Sequence, residues 1–266
     1  MQPFTDSLKG KFAVVTGGGS GIGKDTAFLL AASGARIALI GRTSDELHAT
    51  HRKLSGRTED HLAILADVSV EQEMKRAFDE IERHFGRLDI VVSNAGINGT
   101  WAPLSKLSVE DWDSTFAINL RGTFLTVKLA LPLLLASEQA SVVIVSSING
   151  TRIFSNSGAT AYACSKAAQV AFTKMTALEL AKDGIRVNVV CPGSIETNIE
   201  DSTHRKDLAN LHLPVEFPEG EIPLTDGEPG SSEQVARLIW FLSSELSNHI
   251  TGTEIYIEGG QSLLQG

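Results

Sequence analysis

Short unbroken apolar runs, rich in β-branched residues, alternate along the chain with longer stretches whose apolar positions recur at helical spacing. Phe12–Thr16, Arg36–Ile40, Leu62–Leu65, Asp89–Ser93, Ser141–Ser146, Arg186–Cys191 and Glu254–Ile257 read as strands. Ile22–Ser33, Val70–Phe85, Ser108–Ala136, Tyr162–Ala181 and Ser232–Leu242 read as helices between them. Strands that are apolar throughout, rather than at alternate positions, are buried on both faces. Alternation with helices then predicts an α/β fold: a doubly wound parallel sheet of about seven strands with helices on both faces.

The pattern weakens only between Glu196 and Gly230, a stretch with Pro214, Pro218, Pro223 and Pro229. A connection that long in a compact domain is more often a binding loop than filler, so 196–230 is expected to form a substrate lid on a single domain spanning 1–266. Composition is that of a globular protein, and no apolar run is expected to reach the roughly 20 residues of a membrane span. The N-terminus shows no secretory pattern, and two cysteines, Cys164 and Cys191, suit a reduced, cytoplasmic protein better than a disulfide framework. A net charge of −9 disfavours nucleic acid and anionic membranes as partners. The seven histidines show no ligand spacing, so no metal is expected.

Two clusters carry candidate chemistry. The first strand runs into Thr16-Gly17-Gly18-Gly19-Ser20-Gly21-Ile22-Gly23, where a helix opens. Gly17 permits the tight turn, Gly21 lets backbone approach a pyrophosphate, and Gly23 lets helix and strand pack closely. Free N–H groups and the helix dipole favour an anion there, which predicts a Rossmann-type dinucleotide site. The second strand ends Gly41-Arg42-Thr43, with no carboxylate to bind a ribose 2′-hydroxyl. A guanidinium at Arg42 suits a 2′-phosphate instead, so NADP(H) is expected over NAD(H); the alternative is a solvated Arg42 and a lax site. In the second cluster, Tyr162 and Lys166 stand four apart and share a helix face. A phenol can exchange a proton with a bound oxygen, and a nearby ammonium can hold its pKa below about 10. Cys164, between them, reads as a small packing residue.

Together these motifs resemble the short-chain dehydrogenase/reductase family in its short single-domain form, and in particular its 3-ketoacyl reductase-like members. The resemblance extends from Leu8-Lys9-Gly10-Lys11 to Ile257-Glu258-Gly259-Gly260. It takes in Asp67-Val68, Ser93-Asn94-Ala95-Gly96, Asn119, Ser146-Ser147-x-x-Gly150 and Pro192-Gly193-x-Ile195-x-Thr197. Ser93 stands where the family usually has Asn, and Ser147 lies slightly farther from Tyr162 than in many members, which should reshape one pocket wall within Thr151–Thr160.

The resemblance implies that Tyr162 is the acid/base, that Ser147 (with Ser146 as the fallback) polarises the substrate oxygen, and that Lys166 binds the nicotinamide ribose. It implies that Asn119 holds a water linking Lys166 to solvent. Cofactor contacts are implied for Gly17, Ser20, Gly21, Ile22, Gly23, Arg42, Thr43, Asp67, Val68, Asn94, Ala95, Gly96, Pro192, Gly193, Ile195 and Thr197; Thr197 could instead cap a helix. The substrate pocket is expected at Asn98, Trp101, Ile148, Asn149, Ile153, Phe154, Ser194 and the lid. The lid's acidic balance either repels anions or forms a solvated outer face. The expected function is NADP(H)-dependent interconversion of a ketone or aldehyde and an alcohol. Reduction of a ketoacyl thioester on a carrier protein or coenzyme A is the alternative, lowered because Leu131–Gln139 ends without a basic residue. A non-catalytic dinucleotide-binding regulator is the alternative of another class. A homotetramer, or a homodimer, is implied, with Ala163, Ala167 and Ala171 on one interface and the Gly259–Leu264 tail on another.

Overall fold

The computed structural model describes residues 7–55, 60–211 and 221–264. Seven strands form one sheet: β1 (Phe12–Thr16), β2 (Arg36–Gly41), β3 (Leu62–Leu65), β4 (Ile90–Ser93), β6 (Ala140–Val145), β7 (Ile185–Pro192) and β11 (Glu254–Ile257). Their order is β11-β7-β6-β4-β1-β2-β3, and every pairing is parallel. The register sets Val14 beside Ala38 on one side and Val91 on the other.

The unbroken apolar runs follow from burial on both faces. Ala13 and Val15 point into one layer with Leu30, Val235 and Ile239 from helices α1 (Gly21–Ala32) and α7 (Ser232–Ser243). Val14 points into the other, with Met74, Leu125 and Val170 from α3 (Glu71–Phe85), α5 (Gly122–Leu135) and α6 (Thr160–Leu180). The chain reverses its direction of winding between β1 and β4, which opens a crevice at the carboxyl ends of those strands.

The structure departs from the sequence reading in several places. A helix, α2 (Ser44–Ser55), follows β2 where none was read; only a thin stripe with Leu47 and Leu54 is buried, so its apolar signal is weak. The long helix expected over Ser108–Ala136 is α4 (Val109–Phe116), a π-helical turn Ala117–Arg121, and α5. Contrary to the expectation about apolar runs, Val109–Leu135 taken together is long and apolar enough by composition to cross a membrane. Half of its most apolar window is buried inside the protein, and Leu125, Ala130 and Leu134 pack on the sheet, as in a core helix.

Two small parallel pairs were also missed. β5 (Gly99–Trp101) joins β9 (Thr203–Arg205), and β8 (Ile195–Glu196) joins β10 (Gly230–Ser231). At two or three residues each, they are too short to show a period. They tie the described parts of the expected lid to the body of the protein. Its remainder, 212–220 with Pro214 and Pro218, lies outside the described residues.

Candidate active site

β1 delivers the glycine turn to the crevice. Gly17 has φ +66°, a conformation that side chains other than glycine's rarely adopt, and its N–H donates to Ile40 O at 2.8 Å. Gly23 stands where α1 crosses the turn, and a Cβ there would lie 2.2 Å from Gly17 O. Ser20 precedes α1 in extended conformation and makes no side-chain cap, and the first turn of the helix carries no acidic residue. The N-terminal N–H groups are therefore free to face an anion.

Asn94 staples β4 to β1. Its N–H donates to Thr16 Oγ1 at 3.0 Å and its Nδ2 to Thr16 O at 3.0 Å. Ser93, the departure from the family pattern, is buried and donates to Thr123 Oγ1 at 3.2 Å, away from the Asn94 contacts.

Gly17, Ser20, Arg42, Thr43, Asp67, Val68, Ala95 and Gly96 line a cleft of about 670 Å³ beside the turn. Asp67 turns its Oδ1 to Ser69, accepting from N–H at 2.8 Å and from Oγ at 2.6 Å. Arg42 is exposed and has no ion-pair partner among the described residues, although Glu46, one helical turn on, lines the same cleft. Glu46 is invisible to strand-end reasoning because it belongs to the unread helix α2. Gly21 lines the channel that continues past Thr197.

Ile22, Asn94, Ser147, Tyr162, Lys166, Pro192, Gly193, Ile195 and Thr197 line a second cleft of about 1240 Å³, which meets the first at Gly96. The two clefts fit an extended dinucleotide. A Cβ on Gly96 would stand 3.4 Å from Lys166 Nζ and 3.3 Å from Asn119 Oδ1, so a side chain there would crowd both. Thr197 also caps the turn Asn198–Ser202, accepting from Ile199 N–H at 3.4 Å.

β6 ends in two serines with different tasks. Ser146 is buried and donates to Lys166 O at 2.8 Å, anchoring α6 to the sheet. Ser147 faces the cleft, accepts from Asn149 N–H at 3.1 Å, and is hydrogen-bonded to the Tyr162 phenol. Lys166 is almost wholly buried; its Nζ donates to Val145 O at 3.1 Å and sits 5.6 Å from the centre of the Tyr162 ring. Burial pushes the Lys166 pKa down to about 8.

The phenol differs from the sequence expectation. Burial raises the Tyr162 pKa, the Ser147 hydrogen bond opposes this, and the charge of Glu200 adds to the rise. Lys166 is itself desolvated and directed toward Val145 O, and the causes that set the phenol are burial, Ser147 and Glu200.

Asn119 lines neither cleft. It is fully buried in the π turn, where its Oδ1 accepts from Ile97 N–H at 2.9 Å and its Nδ2 donates to Ile97 O and Ser165 Oγ, each at 3.0 Å. Its own carbonyl accepts from Gln169 Nε2 at 2.8 Å and Thr123 Oγ1 at 2.8 Å. This is the geometry of a brace, and Ser165 and Gln169, both missed in the sequence, complete it. The wide turn supplies the room that an α-helix would close. Cys164 is exposed rather than packed, whereas Cys191 is buried with its thiol pushed up to about 12. The Gly259–Gly260 tail packs within the chain on Ile222 and Pro223, and Gln261 Oε1 accepts from Ser194 N–H at 2.9 Å.

A family profile described as short chain dehydrogenase matches residues 11–208. The chain belongs to this family. It is thus an oxidoreductase of the short-chain dehydrogenases, which bind a nicotinamide dinucleotide and act on CH–OH groups. It is 36% identical over 253 residues to the 3-oxoacyl-[acyl-carrier-protein] reductase FabG of Thermotoga maritima, covering 95% of this chain and 98% of that protein. It superposes with a TM-score of 0.91 on a 3-ketoacyl-ACP reductase from Sinorhizobium meliloti 1021, at 51% identity, covering 95% of this chain and 99% of that one. A short chain dehydrogenase from Burkholderia cenocepacia J2315 in complex with NADP matches with a TM-score of 0.82 at 31% identity, covering 95% and 98% of the two chains.

Proposed function

We propose that this short-chain dehydrogenase interconverts a ketone or aldehyde and its alcohol with NADP(H), with Tyr162 as acid/base. The observation that carries this reading is the convergence of Ser147, Tyr162 and Lys166 on a cleft that joins the glycine-turn cleft at Gly96. When bound, the nicotinamide supplies or accepts the hydride. Ser147 donates to the substrate oxygen and orients it. In reduction, Tyr162 gives its proton to that oxygen; in oxidation it takes the proton back. A raised phenol pKa keeps the acid form populated near neutral pH, which suits reduction. Lys166 would hold the ribose of the cofactor, and Asn119 holds the backbone at Ile97 and the α6 face that present these groups.

Arg42 at the end of β2 supports NADP(H) over NAD(H), with Gly17, Ser20, Gly21 and Thr43 around the phosphates. The NADP complex of the Burkholderia relative agrees with this choice. Glu46 in the same cleft is a reason to measure both cofactors.

The names of the Thermotoga and Sinorhizobium relatives favour a second reading, reduction of a 3-ketoacyl thioester. Charge argues against an acidic carrier protein as its bearer. The segments that follow α5 and α6 meet where Ala140 N–H donates to Gly184 O at 3.5 Å, and their charged residues are Glu138, Lys182 and Asp183. A small free carbonyl compound is therefore preferred. We take the protein to be a cytoplasmic homotetramer; Met175 and Leu178 on α6 and Phe124 on α5 are exposed apolar side chains that a second subunit would cover.

The experiment is NADPH oxidation, with NADH beside it, across ketones, aldehydes and a ketoacyl thioester both free and carrier-bound. Turnover of free ketones supports the first reading. Turnover of the carrier-bound thioester alone selects the second. Tight NADPH binding without turnover on any member selects a non-catalytic dinucleotide-binding role.

A further inference from the structure

The substrate cleft carries one charge of each sign among its described lining residues, placed differently. Its lining includes one cation, Lys166, which is buried and aimed at Val145 O, and one carboxylate, Glu200. Glu200 is more than half exposed and is ion-paired to Arg205. Its Oε2 accepts from Arg205 Nη2 at 2.9 Å, and its Oε1 accepts from Asn98 Nδ2 at 3.4 Å. Asn98 is itself buried and fixed by donating to Thr203 Oγ1 at 2.8 Å. The field of this carboxylate reaches the reacting end, because it raises the Tyr162 pKa.

An ionised carboxylate offers about four lone-pair sites, so two partners leave acceptor capacity unused. A second free acceptor lies in the same cleft. Asn156 Nδ2 donates to Asn149 Oδ1 at 2.8 Å, which leaves Asn156 Oδ1 without a donor among the described residues. Apolar walls at Ile148, Ile153 and Ile199 complete the space.

We propose that Glu200 is a specificity-determining residue, which selects a carbonyl or alcohol substrate bearing a second hydrogen-bond donor, hydroxyl or ammonium, and rejects carboxylates. This rests on the oxidoreductase reading above and names its substrate class. A donor meeting a charged acceptor forms one of the stronger hydrogen bonds, whereas a carboxylate placed there meets a like charge and, among the described lining residues, no unpaired cation.

The test uses cyclohexanone and its hydroxy, amino and carboxylate derivatives, with wild type and Glu200→Gln. Two quantities are read: kcat/KM with NADPH, and affinity for the enzyme–NADPH complex by quenching of bound-cofactor fluorescence. Wild type should favour a donor-bearing ketone over cyclohexanone by about tenfold or more in at least one quantity. Glu200→Gln should erase most of that ratio and raise acceptance of the carboxylate by a similar factor. A ratio is insensitive to a merely structural loss, which would lower all four compounds together. A larger effect for the amino than for the hydroxy compound would assign an ammonium as the donor; the reverse would assign a hydroxyl. Turnover with ratios that Glu200→Gln does not move overturns the specificity proposal and leaves the oxidoreductase reading intact. Glu200-dependent binding without turnover upholds donor recognition and overturns the redox reading. Neither turnover nor Glu200-dependent binding overturns both.

Discussion

Lys166 carries its charge at a penalty that the fold can be made to reveal. The side chain is 3% exposed and burial moves its pKa from 10.5 to about 8. At about 1.4 kcal/mol per pKa unit, that fall corresponds to roughly 3 kcal/mol of destabilisation of the protonated native state. The unfolded chain keeps this proton up to about pH 10.5, whereas the folded chain releases it near pH 8. Between those values the unfolded state binds more protons, so stability rises with pH; below about pH 8 the full penalty is present. Lys166→Met removes the penalty together with the hydrogen bond to Val145 O, whose loss costs about 1 kcal/mol. The variant should be more stable than wild type by about 2 kcal/mol near pH 7, and its advantage should shrink by about 2–3 kcal/mol on going to pH 10. Urea denaturation at both pH values, at one fixed protomer concentration, reads this difference directly. Other titrating groups are shared and largely cancel. The same variant should lose turnover, as expected when a group is retained for chemistry at the expense of stability. A stability difference that is flat with pH would show that the buried lysine is not held against its charge.

Three further outcomes are expected. Arg42→Asp should lower the NADPH/NADH preference by at least about tenfold in kcat/KM, since it replaces a charge-assisted phosphate contact with repulsion; an unmoved ratio would remove Arg42 from the 2′-phosphate site. Gly23→Ala places a Cβ 2.2 Å from Gly17 O and should destabilise the fold by about 1–3 kcal/mol and weaken NADPH binding, both measurable by thermal shift with and without NADPH. Cys191, buried and with a raised pKa, should resist alkylation until the chain unfolds, and mass spectrometry that finds it labelled in the native protein would contradict its place in the core.

The sheet was legible because burial on both faces leaves unbroken Val/Ile runs, and the order of those runs with helices fixes a parallel sheet. Helix α2 was not legible, since one stripe of Leu47 and Leu54 in a charged segment barely departs from a surface loop. The residues that line the two clefts from motifs, such as Gly17, Ser147 and Tyr162, could be read because each motif has a fixed spacing. Asn119 shows where spacing stops: the sequence marks the residue, but only the π turn shows its side chain committed to Ile97 and Ser165. Glu46, Gln169 and Glu200 each follow a motif residue by three or four positions, but only the fold shows that Glu46 and Glu200 line the clefts and that Gln169 braces Asn119. The Tyr162 pKa failed for a related reason. Adjacency of a lysine is visible in sequence, whereas the desolvation that raises the phenol pKa depends on everything packed around the pair.

The most direct measurement of the central claim is NADPH oxidation by wild type and Tyr162→Phe on the best ketone of the panel, with NADPH affinity determined for both. Turnover by wild type, its loss by about a thousandfold or more in the variant, and nearly unchanged cofactor binding are the predicted results. A Tyr162→Phe enzyme that still reduces the ketone at a comparable rate would contradict the assignment of the phenol as the acid.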